Sequence, residues 1–70
     1  MKSLAQFTFV TDSGHEVAAH RWKNPDGSVG GWVAETATIG KDSIVEIDAI
    51  VFPDAIVKPG DIIKSGQQVL

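Results

Sequence analysis

From Val33 to Leu70 the chain reads VAETATIGKDSIVEIDAIVFPDAIVKPGDIIKSGQQVL. An aliphatic residue returns at every sixth position: Val33, Ile39, Val45, Val51, Val57, Ile63 and Val69. Two places before each, from Ile39 onward, stand Ala37, Ser43, Ala49, Ala55, Asp61 and Gln67. An amphipathic helix needs apolar returns at three and four, whereas alternation confined to three residues marks very short strands. The strands are therefore expected as triplets such as Ala49-Ile50-Val51, outer residues inward and the middle one outward. Gly40-Lys41-Asp42, Glu46-Ile47-Asp48, Phe52-Pro53-Asp54, Lys58-Pro59-Gly60 and Lys64-Ser65-Gly66 lie between the triplets. Gly and Asp accept bent or left-handed backbone, and Pro presets its own torsion, so these segments read as corners. A short strand and a corner repeated in series make a solenoid.

Val-Ala-Glu-Thr-Ala-Thr, Ile-Gly-Lys-Asp-Ser-Ile, Val-Glu-Ile-Asp-Ala-Ile, Val-Phe-Pro-Asp-Ala-Ile and Val-Lys-Pro-Gly-Asp-Ile resemble consecutive repeats of the hexapeptide-repeat family. The resemblance covers residues 33–70 and implies an all-β fold, a short left-handed parallel β-helix of about two coils with three hexads per coil. The handedness comes from the family, because the general crossover rule favours the opposite hand. Three hexads per coil would stack residues 18 apart at the strand spacing of roughly 4.8 Å. Val33, Val51 and Val69 then form one column, Ile39 and Val57 a second, and Val45 and Ile63 a third. The same register sets Glu46 over Lys64 as an opposite-charge corner pair, and it puts Asp61 and Gln67 at inward positions near the end of the coil.

The outward series is Thr38, Ile44, Ile50, Ile56, Ile62, Gln68, with Ile47 and Phe52 adding apolar corners. Isoleucine suits a pleated strand even when half exposed. Yet two coils are few for a stacked-repeat architecture, which ordinarily needs three or more units. Burying a large aliphatic side chain is worth about 1.5–3 kcal/mol. Ile44, Ile50, Ile56, Ile62 and Phe52 are therefore the expected oligomer interface. The family resemblance implies a homotrimer.

Residues 1–32 follow other rules. Gln6 to Thr11 alternates polar and apolar, Asp12-Ser13-Gly14 is a turn, and Glu16 to Trp22 returns as a second strand, which makes an N-terminal β-hairpin. Asn24-Pro25-Asp26-Gly27 is a reverse-turn signal. Gly30 and Gly31 let the chain bend or let Trp32 cover the open coil end, and the whole segment is read as a cap. His20-Arg21-Trp22 and Gly30-Gly31-Trp32-Val33 resemble the opening of small phage and bacterial hexapeptide-type proteins, a hint of phage or prophage origin and of a viral protein at work in a host cytoplasm.

The 70 residues allow one domain, and the absence of cysteine excludes disulfide and thiolate-metal staples. A net charge of −3 argues against a nucleic-acid partner or a membrane surface reached through a basic field. No apolar run approaches the roughly 20 residues of a membrane span. Met1-Lys2-Ser3-Leu4 lacks a secretory core, so a cytoplasmic protein is expected.

Many hexapeptide-repeat proteins are acyltransferases with a histidine general base, and γ-class carbonic anhydrases of the same fold bind zinc through three histidines. His15 and His20 both lie outside the hexads, and five residues apart on one strand they cannot share an ion. No catalytic residue, metal or cofactor is expected, with a minimal acyltransferase kept as an alternative. One polar constellation remains, His20, Arg21, Trp22 and Lys23, where cations beside an aromatic ring suit a planar anion. The reading preferred over it is Trp22 packed on the coil end with Arg21 and Lys23 in water. The functional expectation is a non-catalytic binding module for a protein or small ligand. As a phage protein it would be a counter-defence protein that sequesters a nucleotide signal or blocks a host protein, or else a virion component.

Overall fold

The structure, a computed structural model, describes residues 7–70. Met1–Leu4 and Gln6, which figured in the readings above, lie outside the described residues. Among those described there is no helix, and the chain is all-β. Three longer strands come first, β1 (Phe7–Val10), β2 (Glu16–Lys23) and β3 (Val29–Ala34). Six two-residue strands follow: β4 (Thr38–Ile39), β5 (Ile44–Val45), β6 (Ile50–Val51), β7 (Ile56–Val57), β8 (Ile62–Ile63) and β9 (Gln68–Val69).

All pairing among the repeats is parallel and 18 residues apart. Val33 pairs with Val51, Val51 with Val69, Ile39 with Val57, and Val45 with Ile63. The three expected columns are thus the observed register. Corners recur at the same step: the carbonyls of Ala34, Gly40, Glu46, Phe52, Lys58 and Lys64 each accept the amide three residues on, at 2.9–3.3 Å. Backbone strain at the corners is confined to their third residues, where Asp42, Asp54, Gly60 and Gly66 take φ of 63°, 64°, 80° and 87°. Gly40 is required for another reason. A Cβ there would lie 2.2 Å from the nitrogen of Pro59 in the next rung.

Between the columns lies a dry core of Val33, Val45, Ala49, Val51, Ala55, Val57 and Ile63. Ser43 is buried with them and donates its hydroxyl to the carbonyl of Lys58 at 2.8 Å, which satisfies the one polar atom at its position. Asp61 and Gln67, expected inward, are exposed. They sit in the second rung, which no further rung covers among the described residues, and Gln67 Oε1 instead accepts the Lys64 amide at 2.7 Å. The Glu46–Lys64 pair also takes another form. Glu46 Oε1 accepts the amide of Ser65 at 3.0 Å, since a fixed backbone donor holds a carboxylate with less loss of side-chain freedom than a solvated ammonium.

The hairpin forms as expected, with Phe9 opposite Val17 and Phe7 opposite Ala19. Thr11 donates to the His15 carbonyl and Gly14, at φ 84°, closes the turn. Strand β2 then pairs antiparallel with β3, so one sheet runs β1-β2-β3-β6-β9 and passes from antiparallel to parallel at β3. The expected boundary at residues 32/33 therefore falls inside a strand shared by both halves.

Candidate functional site

The junction between hairpin and repeats is built by close backbone approach. Strand β3 crosses the near end of the core so tightly that a Cβ on Gly30 would lie 2.0 Å from the Val45 carbonyl oxygen, and one on Gly31 1.9 Å from that of Ala49. Neither glycine needs a positive φ; contact is what selects them. Asn24, only 5 % exposed, completes the crossing. Its Oδ1 accepts the Val45 amide at 2.9 Å and its Nδ2 donates to the Val45 carbonyl at 3.0 Å, so one side-chain amide takes the place of a neighbouring strand along β5. The turn that presents Asn24 is closed by Gly27, at φ 89°, and by Asp26, whose Oδ1 accepts both the amide and the hydroxyl of Ser28. These bonds hold the Asp26 carboxyl below its ordinary value.

The four residues His20, Arg21, Trp22 and Lys23 divide between two faces of β2. Trp22 packs against the repeat core, and its Nε1 is buried without a hydrogen-bond partner. The aromatic group that covers the coil end is thus Trp22, in line with the reading that packs it there, and Trp32, the other residue read as covering that end, faces the other way. The reason is register: Val33 points into the core, so its neighbour on an alternating strand points out. His20 shares the face of Trp22, their rings 6.2 Å apart. On the opposite face the Arg21 guanidinium lies 4.7 Å above the Trp32 ring and donates to the Gly30 carbonyl at 3.4 Å. Arg21 is opposite Trp32 in the ladder, which is why it stacks there and not on Trp22. Lys23 is exposed beyond a register shift between Arg21 and Lys23. The structure therefore joins Arg21 to Trp32 and His20 to Trp22, and it does not gather all four into one pocket.

The outer face of the wall is partly covered. Phe9, Ala19 and Ala34 form a second cluster with Val17, Trp32, Ala37, Ile50 and Phe52 against it, and the Phe9 and Phe52 rings are 5.0 Å apart. Ile50 and Phe52, expected at an oligomer interface, are thus half-buried beneath the chain's own hairpin. Ile44 is half-buried on the β5–β8 wall, whereas Ile62 there is 54 % exposed and Ile56 on the β4–β7 wall is 71 % exposed. Beside the hairpin turn an open groove of about 460 Å³ is lined by Phe9, Val10, Phe52 and Pro53 with Thr11, Asp12, Asp54 and Leu70. Sequence reasoning did not find Asn24 or this groove. The Asn-Pro turn signal was present, but its partner, Val45, is 21 residues away.

Among the described residues no cluster of three or more His, Cys, Asp or Glu could hold a metal ion, and no helix is long and apolar enough to cross a membrane. The chain matches no family model, no curated protein and no solved structure.

Proposed function

We propose that this chain is a hexapeptide-repeat, left-handed parallel β-helix that assembles with copies of itself, as a trimer, and serves as a non-catalytic binding module. The 18-residue parallel register supports the β-helix, and the left hand is taken from the resemblance of residues 33–70 to the family. One observation carries the assembly. Ile56 and Ile62 stand 71 % and 54 % exposed on the β4–β7 and β5–β8 walls, each strand paired in register with the rung before it. Exposed aliphatic side chains of this size gain apolar burial from a partner. Side-by-side packing of three copies would cover both walls. The exposed His20, Arg21 and Lys23 of each copy are the groups that a host protein or an anionic, nucleotide-like ligand would meet.

The test is the solution mass at micromolar concentration of the wild type and of an Ile56→Glu, Ile62→Glu double variant. The wild type is expected at a multiple of three chains, and the variant at a third of that mass with its β-sheet spectrum retained. A wild-type mass that is no multiple of three, or a variant that keeps the wild-type mass, overturns the trimer. A nucleotide panel in thermal-shift format then reads the ligand arm, since a ligand that binds only the folded state raises the melting temperature.

A further inference from the structure

The hairpin turn and the corner Phe52-Pro53-Asp54 meet on the wall that the hairpin covers, and the open groove of about 460 Å³ lies between them. Its floor is aromatic and apolar. The Phe9 and Phe52 rings stand 5.0 Å apart and tilted by 46°, with Pro53 beside them. Its rim carries two acids, Asp12 and Asp54, and among the described residues the lining holds no base.

Both acids stand on backbone that is already fixed. Asp12 belongs to a turn in which the Thr11 carbonyl accepts the Gly14 amide at 2.9 Å and the Thr11 hydroxyl accepts the His15 amide at 3.2 Å. Asp54 donates its amide to the Thr36 hydroxyl at 3.0 Å, in a corner closed by the Ala55 amide on the Phe52 carbonyl at 3.2 Å. The ordering cost of binding is thereby left to two short side chains. Asp54 takes φ 64° at a corner place that Gly60 and Gly66 fill elsewhere. Asp42 takes the same place at φ 63° but does not line the groove, so it is a control of matched charge and backbone.

The lining defines what fits. Carboxylates above an aromatic floor suit a planar cation carried on an apolar stem. A guanidinium stacks on aromatic rings and donates to carboxylates, while its methylene stem covers apolar surface. An open groove encloses only one side of a free small cation, whereas a side chain delivered by a protein is held there by its flanking residues as well.

We propose that this groove docks an extended segment of a partner protein, in which an arginine meets Asp12 and Asp54 and apolar neighbours of that arginine cover Phe52 and Pro53. The groove shares no lining residue with the β4–β7 and β5–β8 walls or with His20, Arg21 and Lys23. It therefore stands or falls apart from the trimer and from the anionic ligand.

The test is a nuclear magnetic resonance titration of the full chain at low ionic strength, where exposed charges are least screened. The probe is an N-acetylated, C-amidated Gly-Leu-Arg-Leu-Gly peptide, and its counterparts carry citrulline for the arginine or serine for both leucines. The arginine peptide is expected to shift the amides of Asp12, Phe52 and Asp54 saturably, with each counterpart bound more weakly. Asp12→Asn and Asp54→Asn should each weaken the arginine peptide about two- to fivefold, the range of an exposed ion pair, and Asp42→Asn should leave it unchanged. Asn accepts left-handed backbone as Asp does, so the corners stay folded. A citrulline or serine peptide of equal affinity, or an Asp42→Asn chain weakened as much as Asp54→Asn, would overturn the proposal. Free arginine amide bound as tightly as the peptide would make the groove a small-molecule site instead. Shifts of the same amides on diluting the chain without probe would give the groove to a second copy. A melting temperature that the Asp12→Asn/Asp54→Asn variant loses at low salt and regains at high salt, again without probe, would mean that the chain itself supplies the cation.

Discussion

Asn24 does the work of a strand with one side chain. Its amide presents a donor and an acceptor at the spacing of a peptide group, and Val45 offers the matching pair from an edge that water does not reach. Asn24→Ala leaves both Val45 groups buried without partners, at about 1–3 kcal/mol for each. The melting temperature should then drop by about 4–8 °C for every kcal/mol lost, as followed by circular dichroism. A variant within 2 °C of wild type would show that water replaces the amide. Asp26 allows a test through pH. Its folded pKa is lowered by the side-chain and then the backbone hydrogen bond from Ser28, so the stability it contributes is present above its ordinary value of 3.8 and is lost as pH falls through the lowered folded value. An Asp26→Asn chain should therefore show a shallower acid loss of stability below pH 4 than the wild type. Equal slopes in acid titrations of the two would remove Asp26 from the account.

The repeating element is a two-residue strand joined to a corner, and its stability is decided at the corner. Four corners end on a left-handed residue, Gly60 and Gly66 in two of them and Asp42 and Asp54 in the others. Asp tolerates that conformation better than Ala, and it can bond locally. Gly60→Ala, with no atom in the way of its Cβ, should cost about 1–2 kcal/mol through torsion alone. Urea unfolding reads this as a lower midpoint at unchanged slope. No change in the midpoint would mean that the corner relaxes to another turn. Strand β3 is the element that ties the halves together, because its two edges serve β2 and β6 at once. Its glycines tell the same story from the opposite side, as they are held by carbonyls of Val45 and Ala49 and not by torsion.

At the scale of the whole molecule, two rungs and a hairpin close only part of their own surface. The hairpin covers Ile50 and Phe52, while Ile56 and Ile62 keep their exposure. Stability should therefore depend on chain concentration, since association is linked to folding. The sequence alone determined the strands, the corners and the 18-residue register, because a six-residue period repeats in covalent order and each repeat needs only its neighbour a fixed distance along the chain. It also settled the hairpin, whose turn chemistry is local. What it left open was everything that depends on which way a particular side chain meets a distant one. Arg21 stacks on Trp32, Asp61 and Gln67 meet solvent, and Ile50 lies under Phe9. Those contacts follow from how β2 and β3 cross the end of the stack. That crossing is set by backbone proximity at Gly30 and Gly31 and by the Asn24 amide, which reaches a partner 21 residues away from a turn outside the periodic stretch.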